Sequence, residues 1–160
     1  CGPEREGTEA MNVLVSACLL GLSCRYDGQS KGHPLAGELV ARHTAIPVCP
    51  EIFGGLSTPR PPSERRCGGV FTREGTDVTA AYDRGAQEVL RLARLYGCTV
   101  AILKERSPAC GSGKIYDGTF TKTLADGYGV AAELLEKNGV RVLGESRLEA
   151  FLQECREDSL

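Results

Sequence analysis

Four short apolar runs, set apart by stretches with helical periodicity, constrain this chain more than any other feature. Residues 12–17, 45–48, 99–103 and 140–143 are rich in β-branched and aliphatic side chains and are too short for stable helices. Such runs read as buried strands. Between and after them, 34–42, 83–96, 129–137 and 148–155 carry apolar residues at helical spacing. The second of these is the clearest. Ala86, Val89, Leu90, Ala93 and Leu95 give it an apolar side, and Gly97 ends it. Strands alternating with helices predict an α/β fold, a mainly parallel sheet with helices on both faces in a Rossmann-like sandwich. The 160 residues suffice for one such domain with its own core, expected over 11–160. Residues 1–10 are polar and precede Met11, where the first apolar run opens. They are expected to form a flexible extension or remnant.

Two stretches do not follow the alternation. Residues 50–69 contain Gly54, Gly55, Pro59, Pro61, Pro62, Gly68 and Gly69, a composition that argues against regular helix or central strand. A loop of that length in a compact domain is usually functional. After it, 70–72 and 77–79 are expected to pair as a small hairpin around Glu74-Gly75. Residues 111–126 are rich in Gly and Thr and read as loop or short extended pieces.

Composition narrows the class of function. The formal net charge is -2 and no dense basic run is present, so neither a nucleic acid nor an anionic membrane is the expected partner. A small molecule fits better. No apolar stretch approaches the roughly 20 residues of a membrane helix, and no signal peptide is visible, which leads to an expected cytoplasmic location. The eight cysteines are many for such a domain. They lack the dense, turn-separated array of a disulfide scaffold, so metal binding or thiol chemistry is the better expectation.

Ligand sites in open α/β sheets lie beyond the carboxyl ends of the strands. Cys18, Cys49 and Cys110 each follow a different expected strand, so a parallel sheet can bring them to one edge. Cys98 precedes a strand and belongs at the opposite edge; Cys155 falls in the last helix, Cys1 in the extension, and Cys24 and Cys67 in loops. Three thiolates suit zinc or an iron–sulfur cluster. The absence of any CxxC pair weakens a zinc ribbon. The competing reading is that these are small buried residues at strand ends, which cysteine tolerates well. A phosphatase-like loop from Cys18 to Arg25 fails on spacing, since one residue too many lies between thiol and guanidinium.

Two side chains beside the thiols carry chemical interest. Glu51, two residues past Cys49, is a candidate general base. Ser107, three residues before Cys110, can donate a hydrogen bond or relay a proton. A surface glutamate and an ordinary turn serine before proline are the plain alternatives. Lys104, Arg60 and Arg25 flank these loops and are expected to meet a polar substrate edge. His33 and His43 are expected at the surface.

As a set, the segments Ser16 to Gly21, Arg25 to Gly28, Cys49 to Glu51, Gly54 to Pro62, Ser107 to Gly111 and Ile115 to Gly118 resemble the thiouracil desulfurases, a small bacterial and archaeal domain family. The resemblance runs from about Met11 to Glu145. It implies a 4Fe–4S cluster held by Cys18, Cys49 and Cys110, with one iron lacking a protein ligand. It maps the catalytic carboxylate to Glu51 and the catalytic serine to Ser107. The implied reaction is non-redox removal of sulfur from a thiolated base such as 2-thiouracil. Cys24 departs from the family pattern, which argues against its being an essential ligand. A non-catalytic iron–sulfur or zinc protein of sulfur or iron handling would keep the cysteines without needing Glu51 and Ser107.

Overall fold

The computed structural model describes residues 10–157. The expectation for the amino-terminal extension falls, apart from Ala10, outside the described residues. Four strands form the parallel sheet: β1 (Asn12–Ser16), β2 (Thr44–Val48), β5 (Val100–Leu103) and β8 (Arg141–Gly144), in the order β2-β1-β5-β8. The chain steps to one side of β1 and then to the other, so the strand order reverses between β1 and β5. That reversal opens a crevice at the carboxyl ends.

Alternation of side chains across the strands builds two apolar layers. Leu14, Ala101 and Leu103 face α3 (Thr79–Leu95) and α4 (Val130–Lys137), where Val89, Leu90, Ala132 and Leu135 are fully buried. Val13, Val15, Val100, Ile102 and Leu143 face the other way. They pack on α1 (Ala36–Arg42) and α5 (Leu148–Glu157) through Leu39, Leu148, Phe151 and Leu152. Helices therefore cover both faces, as the sequence predicts.

Local chemistry shifts several boundaries. Helix α3 begins at Thr79 rather than 83; the Asp77 carboxylate, one residue before the N-cap Val78, accepts the Thr79 N–H at 2.9 Å as the chain turns into the helix. The 50–69 stretch is more regular than its composition implies. It opens with the one-turn helix α2 (Pro50–Phe53), where Pro50 sits in the first turn and needs no amide partner. It ends in β3 (Ser63–Arg66), which pairs antiparallel with β4 (Gly69–Thr72). The expected hairpin of 70–72 with 77–79 is thus corrected: β4 takes β3 as its partner, and Phe71 keeps only an isolated bridge to Asp77. The turn at Cys67-Gly68 has two consecutive positive φ values, which favours this tighter connection. Likewise, the extended pieces in 111–126 become a second hairpin of β6 (Ser112–Tyr116) and β7 (Leu124–Tyr128). No helix among the described residues is long and apolar enough to cross a membrane.

Candidate active site

The carboxyl ends of β1, β2 and β5 open onto a cavity of about 550 Å³. Cys18, Cys49, Cys110, Glu51 and Ser107 all line it. Each arrives by a local device that the sequence encodes. Cys18 lies in a 3-10 turn directly after β1; Gly21, at φ 95°, ends that turn and donates to the Cys18 carbonyl. Cys49 stands at the start of α2, and its carbonyl accepts the Phe53 N–H.

Helix α2 in turn sits hard against α3. A Cβ on Gly85 would lie 1.7 Å from the Pro50 carbonyl oxygen, and one on Gly54 would lie 2.0 Å from that of Ala81. Only glycine at both positions lets the helix bearing Glu51 approach this closely. The Cys110 loop is fixed differently. The N–H groups of Gly129, Val130 and Ala131, where α4 begins, donate to the carbonyls of Gly111, Pro108 and Ala109. These bonds satisfy amides that no side chain caps. Gly129 again permits the approach, since a Cβ there would lie 2.3 Å from the Ala109 carbonyl carbon.

The thiols sense one another. Burial first, then the neighbouring Cys49, pushes the Cys18 thiol up to about 11. Burial also raises Cys110 well above its ordinary value; Cys49 and Cys18 add to this, while a hydrogen bond from Ser16 opposes it. Cys24 is pushed up to about 12, by burial first and then by Cys49 and Cys18. Crowded thiols of this kind become thiolates when metal binds and displaces their protons. Among the described residues, no three His, Cys, Asp or Glu side chains converge as a single metal ion requires. The three strand-end thiols instead ring the cavity, and the all-sulfur donor set fits an iron–sulfur cluster.

The structure thus brings every expected site residue to one place. Cys98 is buried in the core on the α3/α4 face of the sheet, Cys155 packs with the α5 layer, and Cys67 is exposed in the β3–β4 turn. Cys24 lines the cavity, and its carbonyl lies 3.9 Å from the Cys49 Sγ.

Glu51 has partners that the sequence did not disclose. The Tyr82 hydroxyl donates to Glu51 Oε1. Arg60 Nε donates to the same oxygen at 3.4 Å. The Arg60 side chain is 4% exposed and is held further by the Cys24 and Ser57 carbonyls and the Thr58 hydroxyl. Burial, then the charge and hydrogen bond of Glu51, push the Tyr82 phenol far up, so it stays protonated and a donor. Arg60 was expected to meet substrate; it lines the cavity, but its bonds hold the carboxylate and the surrounding loop. Lys104 likewise pairs with Glu145 at 2.6 Å.

Ser107 is a turn serine that stands at the cavity wall. Its oxygen accepts the Ala109 and Cys110 amides at 3.1 and 3.2 Å, as a turn serine does, and it also lines the cavity. Its O–H remains a donor. Ser16 was missed. It is 2% exposed, accepts the Lys104 N–H at 2.8 Å and bonds Cys110. A hydroxyl closing an otherwise apolar buried strand was the available signal, because such a group needs a partner. Tyr82 had a fainter one, as a phenol on the buried side of an aliphatic helix. His43 contradicts its expected surface position. It is 5% exposed, packs on Phe151 and accepts the Met11 N–H through Nδ1.

Comparison with known proteins finds relatives along nearly the whole chain. The family model for 2-thiouracil desulfurase matches residues 13–147. An uncharacterized protein of Bacillus subtilis, YbbK, is 41% identical over 150 residues, spanning 88% of this chain and 99% of the relative. A solved structure described as the 4Fe–4S-dependent thiouracil desulfidase TudS superposes with a TM-score of 0.85 at 46% identity, covering 90% of this chain and 97% of that one.

Proposed function

The chain belongs to the 2-thiouracil desulfurase family, and from that premise we propose that it is a 4Fe–4S-dependent enzyme that exchanges the sulfur of a thiolated base, such as 2-thiouracil, for oxygen. The observation that carries this reading is the meeting of Cys18, Cys49, Cys110, Glu51 and Ser107, from three separate strand ends, around one cavity. The three cysteines would hold the cluster and leave one iron without a protein ligand. When bound, such a cluster supplies a thiophilic Lewis acid that polarises a thiocarbonyl.

The protein's own residues supply the remainder. Tyr82 and Arg60 both engage Glu51 Oε1, which leaves Oε2 to take a proton from water. The water oxygen adds to the thiocarbonyl carbon. Glu51 returns that proton to sulfur as the C–S bond breaks, hydrosulfide departs, and the added oxygen releases its remaining proton to solvent as the carbonyl forms. One water is consumed and no electrons are transferred. Ser107, its oxygen anchored by two amides, donates a hydrogen bond from its hydroxyl to the heterocycle. We read residues 11–160 as the single unit that performs this, working in the cytoplasm on a small molecule rather than on nucleic acid or at a membrane.

The test is anaerobic reconstitution followed by incubation with 2-thiouracil and assay of released sulfide. The wild-type protein releases sulfide. Glu51→Gln keeps the cluster absorbance but is slower by about 100-fold or more, the range of a lost general base. Equal rates would remove Glu51 from the mechanism, and a cluster-loaded wild-type protein that releases no sulfide would be a carrier.

A further inference from the structure

The β6–β7 connection carries a strained aromatic residue. Phe120 and Lys122 have φ values of 58° and 60°, a region that side-chain-bearing residues rarely occupy. Both line the cavity that holds Glu51 and Ser107. The strain is held in place by specific contacts. Glu64, on β3 and 9% exposed, accepts the N–H groups of Gly118 and Phe120 through Oε1 at 2.9 and 3.1 Å. Thr119, Thr121 and Thr123 chain their hydroxyls along the loop, at 2.6 and 2.8 Å. The Arg73 guanidinium lies 5.7 Å from the centroid of the Phe120 ring. A buried carboxylate, a hydroxyl ladder and a cation together hold one phenyl ring at the cavity wall. None of them contributes to the reaction derived above. Residues held in sparsely populated backbone regions by surrounding contacts point to a role for the side chain they present.

We propose that Phe120 is the stacking platform for the substrate ring, its face away from Arg73 receiving the flat heterocycle, and that this makes the site selective for aromatic over non-planar thiocarbonyl compounds. The inference rests on the desulfurase reading and adds what selects its substrate. Stacking a base on an aromatic side chain is worth roughly ten-fold in binding or more. A saturated ring with the same polar edges forfeits most of that contact.

The experiment compares binding of 2-thiouracil and 5,6-dihydro-2-thiouracil to the cluster-loaded enzyme, for wild type, Phe120→Leu and Phe120→Trp. The two ligands share the thiocarbonyl and ring amides and differ in planarity. Wild type favours 2-thiouracil by about ten-fold; Phe120→Leu binds both alike, and Phe120→Trp restores the preference. In turnover, Phe120→Leu raises KM for 2-thiouracil while kcat changes little. A general loss of fold weakens both ligands equally and leaves their ratio intact, so the ratio isolates stacking. A wild-type ratio near one, or a ratio unchanged in Phe120→Leu, overturns the proposal. Wild-type enzyme that binds neither ligand overturns the desulfurase reading itself, and the stacking role with it.

Discussion

The cavity has two walls built on different principles. One is the carboxyl edge of the parallel sheet, where Cys18 and Cys49 closely follow β1 and β2 and Cys110 lies in the loop after β5. The other is the pair of hairpins, where Glu64 and Phe120 are placed by polar clamps and left-handed backbone. The sheet edge inherits its precision from a packed core, so its side chains move only if strands move. The hairpin wall is held by a handful of hydrogen bonds and can be retuned without touching the core. Chemistry common to a family belongs on the first kind of wall, and discrimination among substrates on the second.

That contrast can be broken most sharply at the thiols. Replacing Cys110 by Ser removes a thiol of the sheet edge, and the reconstituted protein is expected to lose its cluster and fall to background activity. Cys67→Ser, on the exposed turn of the hairpin wall, leaves both unchanged. Iron and sulfide analysis alongside turnover checks the pair, and retention of the cluster by the Cys110 variant would contradict its assignment.

A smaller effect is expected where the sheet edge meets α3. Alanine at a helical glycine normally gains up to about 1 kcal/mol. At Gly85 the added Cβ would meet the Pro50 carbonyl oxygen at 1.7 Å, and that oxygen belongs to the backbone, so helix α2 must move. Overpacking of this kind costs about 1–3 kcal/mol. Gly85→Ala therefore lowers stability despite its better helix propensity, and it lowers turnover further by displacing Glu51. Gly37, in α1, has nothing within 4 Å of its Cβ position, so Gly37→Ala is expected to be neutral or mildly stabilising. Thermal unfolding of both variants decides the matter, and a stabilised Gly85→Ala would refute the close-approach argument.

The smallest effect belongs to His43, far from either wall. Burial, and then the charge of Arg42, hold its pKa below the ordinary 6.5. The unfolded chain therefore takes up a proton at a higher pH than the folded one. Stability is full above about 6.5 and declines as the pH falls below it, until the folded-state pKa is reached. His43→Phe should flatten this part of the profile of melting temperature against pH. A profile equally steep in the variant would assign the acid sensitivity to other groups.

How far the sequence discloses the molecule follows the same division. The parallel sheet, the helices on both faces and the three strand-end cysteines are legible because strand and helix periodicities are local signals, and the crossover rule converts them into a shared edge. Glu51 and Ser107 are legible as sequence neighbours of those cysteines. The partners Tyr82 and Ser16 are not, because each meets its target across a tertiary contact that no spacing encodes. The β3–β4 pairing was misassigned for a similar reason. Glu74-Gly75 is the stronger turn signal on paper, but Cys67-Gly68 brings Glu64 beneath the β6–β7 loop, and that long-range contact is invisible locally. His43 looked like a surface residue after a helix until the α5 layer closed over it.

Adding water to the thiocarbonyl, with no electrons transferred, is the step proposed for this cavity. The most direct measurement follows 2-thiouracil turnover by the anaerobically loaded enzyme in water labelled with heavy oxygen, with no reductant present. The account predicts one sulfide for each uracil formed and heavy oxygen in the new carbonyl. A requirement for an electron donor, or a carbonyl oxygen that does not come from the solvent, would contradict it.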